Sequence, residues 1–468
     1  MKGEKQNNKE HSVEAFKNTI TFYGGAGTVT GSNFLLTLGE VRILIDCGLT
    51  QGEQYCDSCN YDPFPYDASQ IDFLFATHAH ADHIGLIPKL VREGFRGTIY
   101  STPATRDLSE VMFADSVRII TREAQNKGID PLYTDADIQK AQSLWKTLEY
   151  HQETTLKEGV TVNLKDAGHI LGSAMVVCMY KGKKVVFTGD LGNSPSPLLK
   201  DTEYITDADY MVIESVYGDR NHEGKKRRVQ KLQEAIEDIT ARGGTLMIPS
   251  FSIQRTQVLL YLINNFIEDN VLAKVPVFLD SPLAITVTGV FRKYTHLLND
   301  GIQKEIRGGD DIFNFPQFSN TKEVSESKAI LKHPGPKIII AGSGMSSGGR
   351  ILHHEKQYLS SPKNMLLFIG YQAVGTLGRL IQDGAKEVLI NNAAISIKAE
   401  IRTINGFSAH KDSDNLIEFV EHSQKTLKKV FVAMGEPKSS LFLVQRLRDY
   451  LEVDAVSPEK GEVVMLDI

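Results

Sequence analysis

Three histidines and one aspartate lie within six residues, in the segment THAHADH at positions 77–83. The segment directly follows the apolar run IDFLFA, so these side chains stand where a predicted strand ends and a turn begins. This spacing can bring all four side chains, His78, His80, Asp82 and His83, to one point. Imidazole and carboxylate groups are the donors that zinc uses where thiolates are absent. The segment therefore predicts a metal site, with a solvated loop of chance histidines as the alternative.

Polar residues also end three other apolar runs of the chain. Asp46 closes the run VRILID, Asp190 closes VVFTGD, and His169 follows a predicted strand within AGHILGS. An isolated aspartate or histidine in such a place is usually a cap or a turn residue. Four predicted strands that all end in metal-binding side chains instead indicate one shared site.

The order of predicted elements divides the chain into units, since 468 residues are too many for one ordinary hydrophobic core. From residue 19 to 214, short apolar strands broken by glycine predict stacked sheets covered by helices. From 215 to 395, helix and strand alternate, which predicts a separate α/β unit on a parallel sheet. Residues 396–468 return to strands and helices. Residues 1–18 form a polar tail that we predict to be flexible.

Composition excludes several classes of protein. The formal net charge of −6 gives no bulk signature of a nucleic-acid binder, so contacts with phosphate must come from local geometry. Four cysteines do not make a disulfide framework, and Cys56 and Cys59 form a lone CxxC. The first residues lack the apolar core of a secretory signal, and no apolar run is long enough to span a bilayer. We therefore expect a cytoplasmic protein without membrane association.

The motifs resemble those of a known family. HAHADH with Asp46, His169 and Asp190 resembles the four motifs of the metallo-β-lactamase superfamily, in the expected order. The segments ESVYGDRNH, PSFSIQRTQVLLYL, DSPLA, IIIAGSGMSSGGRILHH, GYQAVGTLGR and NGFSAH resemble the β-CASP nucleases. Within that family, the chain is most similar to the bacterial and archaeal homologues of the cleavage subunit of pre-mRNA 3′-end processing. The resemblance implies an α/β fold: an αββα metallo-β-lactamase sandwich, residues 19–214 and 396–468, with a β-CASP domain, 215–395, inserted.

The resemblance also implies a role for each residue of the site. The implied zinc ligands fall into three sets: His78, His80 and His169 for one ion, Asp82 and His83 for a second, and Asp190 as a bridge between them. Asp46 is expected to orient a metal ligand from behind. Glu214, at the start of the inserted domain, is expected to pair with His410 of the motif FSAH.

Hydrolysis of a phosphodiester needs a nucleophile, neutralisation of charge and a proton for the leaving oxygen. Two zinc ions supply the first two needs, because a metal-bound hydroxide forms near neutral pH and the cations stabilise phosphoryl charge. Histidine suits the third need, so we expect His410 to be the general acid, oriented by Glu214. The expected substrate is single-stranded RNA, cut as by an endonuclease, and relatives suggest a homodimer.

A further set of residues is predicted to bind the RNA backbone. The loop AGSGMSSGGR follows a predicted strand, and its glycines expose N–H groups that suit a phosphate. Arginine suits phosphate because its fork donates two hydrogen bonds, although such arginines also pin loops. The predicted contacts are Ser250, Arg255, Ser343, Gly344, Met345, Ser346, Gly348, Arg350 and Arg379.

One position departs from the family pattern. The RNA-cutting members carry a zinc-binding histidine in a motif resembling VHGE, where this chain has Met434 within VAMGE. A thioether is a poor zinc ligand beside carboxylates, so a second zinc ion is expected to bind weakly. DNA-processing members have an apolar residue here, which keeps a DNA nuclease open. Also open are an RNA-binding pseudoenzyme or partner subunit, and a small-molecule metallohydrolase, which leaves the long inserted domain unexplained.

Overall fold

The computed structural model describes residues 18–51, 57–272 and 274–468. The strands are β1 (Asn18–Gly24), β2 (Asn33–Leu38), β3 (Val41–Ile45), β4 (Phe73–Phe75), β5 (Thr98–Ser101), β6 (Trp145–Thr147), β7 (Thr154–Thr155), β8 (Thr161–Asp166), β9 (Ala174–Tyr180), β10 (Lys183–Phe187), β11 (Tyr210–Ile213), β12 (Thr245–Pro249), β13 (Val277–Asp280), β14 (Phe318–Asn320), β15 (Lys337–Ala341), β16 (Met365–Phe368), β17 (Glu387–Ile390), β18 (Ala393–Ser396), β19 (Glu400–Thr403), β20 (Lys429–Val432), β21 (Ala455–Val456) and β22 (Val463–Met465). The helices are α1 (Ala81–Ile84), α2 (Ile87–Arg92), α3 (Pro103–Lys127), α4 (Asp135–Ser143), α5 (Lys225–Arg242), α6 (Arg255–Glu268), α7 (Pro282–Lys293), α8 (Asp300–Arg307), α9 (Val324–Ile330), α10 (Ile351–Tyr358), α11 (Leu377–Gln382), α12 (Ser413–Glu421) and α13 (Pro437–Leu451). Short 3₁₀ helices cover Asp57–Tyr61, Ala68–Gln70 and Thr295–Leu297.

Two predictions from the sequence fall on residues outside this description. Residues 1–17, nearly all of the predicted tail, are among them, and so is Cys56, one half of the CxxC. Among the helices that the structure describes, none is both long and apolar enough to cross a membrane.

Two sheets of seven described strands form a sandwich. One has the order β22-β1-β2-β3-β4-β5-β6, and the other has the order β21-β20-β11-β10-β9-β8-β7. In the first sheet β1 to β3 are antiparallel neighbours, whereas β3 to β6 run parallel. In the second sheet β8 to β10 are antiparallel, whereas β10, β11, β20 and β21 run parallel. Each sheet therefore contains parallel neighbours, and within each sheet the carboxyl ends of these strands lie at the same edge.

Strand β9 shows why helices must cover the sandwich on its outer side. Its sequence AMVVCMY lacks the polar alternation of a half-exposed strand, so both of its faces must be buried. Val176 and Cys178 pack between the two sheets, while Met175 and Val177 pack with the apolar sides of α12 and α13. Helices α2 and α3 pack similarly outside the first sheet. The layers are helix, sheet, sheet and helix, which confirms the predicted sandwich.

The third sheet has the order β14-β13-β15-β12-β16-β19, and every neighbouring pair in it is parallel. Its central strand β12 turns Leu246 and Ile248 toward α5 and α6, and it turns Met247 toward α10. Helix α5 buries a stripe that includes Leu232 and Ile236. Helices on both faces of a parallel sheet confirm the α/β architecture predicted for the inserted unit.

Strand β19 extends this third sheet beyond residue 395, the predicted end of the inserted unit. It pairs in parallel with β16, with Met365 opposite Glu400 and Phe368 opposite Thr403. The four residues EIRT are all half-buried, so their pattern does not reveal which sheet they join. The six-stranded sheet therefore extends to Thr403.

Candidate metal centre and substrate cleft

The polar residues predicted at strand ends come together at one edge of the sandwich. Asp46 follows β3, His78 and His80 follow β4, Asp190 follows β10, and His169 lies in the loop between β8 and β9. Apart from half-buried His80, all of these are buried. The convergence that the strand ends predict is therefore present.

Four ligand atoms form a compact cluster at this edge. His80 Nδ1 lies 3.1 Å from His78 Nε2 and 3.3 Å from His169 Nε2. Asp190 Oδ2 lies 3.4 Å from both of those Nε2 atoms. Ligands about 2.0–2.1 Å from a tetrahedral zinc ion stand about 3.3 Å from one another. The donor atoms are therefore spaced as a small tetrahedral cation requires.

The pKa values of the three histidines also favour the binding of a cation. Burial lowers the pKa of His78, and it lowers the pKa values of His80 and His169 well below the usual value. The imidazoles are therefore neutral, as metal ligands must be. His169 Nδ1 donates a hydrogen bond to the Ala409 carbonyl oxygen at 3.3 Å, which leaves Nε2 with its lone pair toward the cluster.

A fourth histidine, His83, is held from behind by Asp46. His83 Nδ1 donates to Asp46 Oδ2 at 2.6 Å, and Thr77 donates to both carboxylate oxygens of Asp46. Ser32 Oγ makes a further bond to Asp46 Oδ2 at 3.2 Å. On the opposite side of the ring, the buried His83 Nε2 has no hydrogen-bond partner in the described chain. An orphaned ring nitrogen that is fixed by a carboxylate is the arrangement of a metal-binding histidine.

The two oxygens of Asp190 face two different sets of donors. Oδ2 belongs to the four-atom cluster, whereas Oδ1 lies 3.4 Å from His83 Nε2. Asp82 Oδ2 is 3.9 Å from the same nitrogen, so His83, Asp82 and Asp190 make a second, sparser group. Burial opposes charge on Asp190, but the imidazoles of His83 and His410 hold its pKa well below the usual value. The carboxylate is therefore ionised and able to bridge.

Met434 does not join either set of donors. The residue follows β20 and is buried among the apolar side chains between the two sheets. Its sulfur lies 3.8 Å from Ser32 Oγ, and Ser32 in turn contacts Asp46. The backbone of Met434 is left-handed, with φ of 49°, a conformation uncommon for a residue of this kind. The thioether therefore belongs to the layer behind the metal-binding side chains.

Glu214 and His410 form a pair beside the cluster. His410 Nδ1 lies 3.1 Å from Glu214 Oε2 and 3.8 Å from Asp190 Oδ2. The Leu191 N–H donates to Glu214 Oε1 at 2.6 Å, which fixes the buried carboxylate. Burial opposes the imidazolium, but Glu214 and Asp190 raise the pKa of His410 to about 9. The predicted pair is therefore in contact, and its histidine holds a proton at neutral pH.

Three loops of the inserted unit meet at the carboxyl ends of β12, β15 and β16, where open parallel sheets bind ligands. The loop after β15 contains Ser343, Gly344 and Met345. Gln372, in the loop after β16, donates from its side chain to the Gly344 carbonyl oxygen at 3.0 Å. A side chain at Gly344 would meet the ring of Phe251, in the loop after β12, at 2.4 Å. The close approach of these loops therefore requires glycine.

The three predicted phosphate-binding arginines have different surroundings. Arg350 is bound to Asp280 at 2.6 Å and to two backbone carbonyl oxygens, and Arg379 is bound to Asp383. In the described part of the chain, the guanidinium of Arg255 meets no carboxylate and makes no hydrogen bond. It lies over Phe251, 4.8 Å from the ring centroid. Arg255 is thus the arginine with unused donors.

Of the other predicted phosphate contacts, the serine hydroxyls are hydrogen-bonded within the protein, whereas the glycine and backbone N–H positions are free, in the part of the chain that the structure describes, to meet a ligand. Ser250 accepts from the Thr256 hydroxyl at 2.9 Å, Ser343 Oγ accepts from the Ser347 N–H at 2.9 Å, and Ser346 donates to buried Glu355. A side chain at Gly348 would meet open space. Within the described residues, the N–H groups of Gly344 and Met345 have no hydrogen-bond partner.

Aromatic residues beside the cluster are absent from the predicted set. Tyr217 lies 6.2 Å from His410 and 4.4 Å from His222, between ring centroids. Arg220 stacks on Tyr217 and faces Tyr371 in the loop after β16. These residues occur within segments that carry the family resemblance, but no spacing or periodicity singles out the rings.

Three family models match the chain. One described as a metallo-beta-lactamase superfamily domain matches residues 35–216, and a Beta-Casp domain matches residues 256–381. A third, described as a Zn-dependent metallo-hydrolase RNA specificity domain, matches residues 394–458.

Curated proteins are similar along nearly the whole chain. The chain is 34% identical to "Ribonuclease TTHA0252" of Thermus thermophilus, over 91% of this chain and 94% of that protein. It is 32% identical to an "RNase J-like protein" of Methanocaldococcus jannaschii, over 95% and 99% of the two chains. It is 30% identical to "Transcription termination factor FttA" of Methanosarcina mazei, over 96% of this chain and 71% of that protein.

A solved structure from Enterococcus faecalis, titled as a protein of unknown function, has the same fold. Its TM-score is 0.57 at 13% identity, and the match covers 96% of this chain and all of the other.

Proposed function

Because the chain belongs to the β-CASP branch of the metallo-β-lactamase superfamily, a family of metal-dependent hydrolases, we propose that it is a zinc-dependent ribonuclease that cuts single-stranded RNA internally. The main support for the proposal is that the pair formed by His410 and Glu214 lies directly beside the cluster of four ligand atoms. Four ligand atoms converge as zinc requires, and a protonated histidine pairs with a buried glutamate directly beside them.

The donor set supports a particular division of the zinc ligands. His78, His80 and His169, with Asp190 Oδ2, would hold the first ion. His83, Asp82 and Asp190 Oδ1 would hold the second more weakly, since they offer fewer donors and Met434 faces Ser32. When bound, zinc activates water for attack and neutralises charge on the phosphoryl oxygens.

The protein's own groups would supply the proton. His410 lies at the rim of the cluster, and its side chain is 21% exposed, so a substrate oxygen can reach the ring nitrogen away from Glu214. Glu214 fixes the orientation of the ring and favours its protonated form. We therefore assign to His410 the donation of a proton to the leaving oxygen.

RNA is the substrate that the relatives and the inserted unit favour. One relative is named a ribonuclease, another is named an RNase J-like protein, and the family model that matches residues 394–458 is described as an RNA specificity domain. Among the described residues, no carboxylate pairs with Arg255, which therefore offers a cation for phosphate, and the N–H groups of Gly344 and Met345 offer further donors. A cleft with these donors suits a chain of phosphates better than a small ester.

Met434 favours one alternative, an RNA-binding protein with little or no catalytic activity. The basis is that the thioether leaves the second group of donors incomplete. The cytoplasmic location and the homodimer expected from the sequence stay predictions, as does the place of domain boundaries.

The test is cleavage of an end-labelled single-stranded RNA, compared with single-stranded DNA of the same sequence and with a small ester. We expect internal cleavage of the RNA and much slower turnover of the other two. DNA cut at the RNA rate would replace the substrate assignment. No cleavage of any substrate, with RNA still bound, would favour the alternative without activity.

A further inference from the structure

An aromatic and cationic array leads away from the His410 side of the site. The Arg220 guanidinium carbon lies 4.7 Å from the ring centroid of Tyr217 and 5.9 Å from that of Tyr371. Tyr217 and Arg220 follow β11 in the sandwich, whereas Tyr371 follows β16 in the inserted unit. The array therefore joins a loop that follows a strand of the sandwich to a loop that follows a strand of the third sheet.

The outer end of the array is open to solvent. Tyr371 is 42% exposed, and the Arg220 side chain is 47% exposed. Arg220 uses one nitrogen to bind Asp219 at 2.9 Å, which fixes the plane of the guanidinium without burying it. The flat faces of Tyr371 and Arg220 are therefore accessible to a ligand.

The inner end of the array reaches the groups that we assign to catalysis. Tyr217 lies against His222 and close to His410, and His222 Nε2 donates to the His410 carbonyl oxygen at 2.9 Å. A substrate whose leaving oxygen approaches His410 would thus have its neighbouring nucleotide beside these rings. The position of the array relates it to the reaction rather than to a remote surface.

We propose that Tyr371, with Arg220 beside it, is a stacking seat for one unpaired base next to the bond that is cut. The proposal rests on the proposed ribonuclease function and names the part of the substrate that this surface recognises. Aromatic rings and guanidinium planes bind the faces of unpaired bases with little preference among them. A base stacked within a duplex cannot present its face, so the seat selects single strands irrespective of sequence.

The experiment combines protein variants with RNA that lacks a single base. Cleavage of one end-labelled RNA is measured for wild type, Tyr371→Ala and Tyr371→Phe, and then for a series with one abasic position moved along the sequence. Tyr450→Ala is the matched control, because Tyr450 also stacks on an arginine, Arg446, but on the outer face of α13. Metal content and thermal stability are measured for each protein.

We expect Tyr371→Ala to raise KM for intact RNA by about 5- to 150-fold, the range for loss of one stacked base. Tyr371→Phe and Tyr450→Ala should stay within about threefold of wild type, because the first keeps the ring and the second lies elsewhere. When the abasic position is the one that stacks near the cut, the wild-type protein should show a raised KM. That rise should equal the rise that Tyr371→Ala shows with intact RNA. Combining the two changes should then cost nothing further.

The stacking seat would be refuted if, at every abasic position, the rise in KM from Tyr371→Ala and the rise from the missing base multiplied when combined. The base and the ring would then act independently. The stacking seat would also be refuted if Tyr371→Ala kept the wild-type KM, or if it lost metal or stability. Failure of the proposed function would give a different result. The wild-type protein would then cut no RNA, and both proposals would be wrong.

Discussion

Replacing Asp46 by asparagine tests how the metal-binding side chains are supported. The carboxylate is fully buried and accepts four hydrogen bonds. Oδ2 accepts from His83, Thr77 Oγ1 and Ser32, and Oδ1 accepts from the Thr77 N–H. Asparagine has the same shape, but one of its two positions donates instead of accepting.

The expected cost follows from that geometry. The amide oxygen of Asn best takes the position with three donors, which turns its NH₂ group toward the Thr77 N–H. One buried bond is lost and two donors face each other, at a cost of about 1–3 kcal/mol. The bond from His83 changes from charge-assisted to neutral, which costs about 1 kcal/mol more. We therefore expect Asp46→Asn to lower the free energy of unfolding by roughly 2–4 kcal/mol and zinc affinity by roughly 10- to 100-fold.

The assay is denaturant unfolding of the metal-free protein, followed by zinc titration against a chromophoric chelator. Asp449→Asn is the control, since Asp449 is exposed and, among the described residues, accepts a hydrogen bond from Gln445 alone. If Asp46→Asn unfolds like wild type and binds zinc within threefold as tightly, Asp46 does not orient His83 and the reasoning fails.

Four further changes have expected outcomes. His410→Ala should keep its zinc but lose about 10²- to 10⁴-fold in kcat, and a wild-type rate would end the general-acid assignment. Burial raises the pKa of Glu355 to about 8, above the unfolded value of 4.5, so stability should fall as pH rises between these values. Glu355→Gln should remove that slope and gain roughly 3–5 kcal/mol at pH 9, whereas an unchanged slope in urea unfolding would contradict the raised pKa. Met434→His should raise bound zinc from about one toward two ions per chain by mass spectrometry, and an unchanged count would show that this position lies too far from the second donors. Arg255→Ala should raise KM for RNA by about 10- to 100-fold, with Arg379→Ala as the control near wild type, and equal effects would remove the special role of Arg255.

The sequence predicts the sandwich and the cluster for the same reason. Apolar strands that end in histidine or aspartate place those side chains at carboxyl ends, and parallel neighbours bring the ends to one edge. Asp46 and His78, which follow the parallel neighbours β3 and β4, could thus be placed together without knowledge of the whole fold. The orienting bond between Asp46 and His83 could be expected from the family alone, because nothing in the spacing of the two residues indicates it.

Contacts between distant loops could not be predicted. Arg255 and Arg350 both follow a turn of polar residues or glycines, so the sequence does not distinguish them. Asp280 nevertheless binds Arg350 and not Arg255, and Asp280 is 70 residues away from Arg350 in the sequence. Tyr371 faces Arg220 from a loop that follows a strand of a different sheet, so neither periodicity nor a turn signal marks the pair. The sheet that β19 joins could not be predicted, because strand pairing depends on the neighbouring strand, which a short half-buried strand does not specify.

The most direct test of the central claim is recovery of RNA cleavage as zinc is added back to chelator-treated protein, with bound zinc measured in the same samples. We predict no cleavage without metal and recovery that follows occupancy of the site formed by His78, His80, His169 and Asp190, so that His169→Ala neither binds the first ion tightly nor cuts RNA. Full cleavage by metal-free protein, or by the His169→Ala variant, would contradict the account.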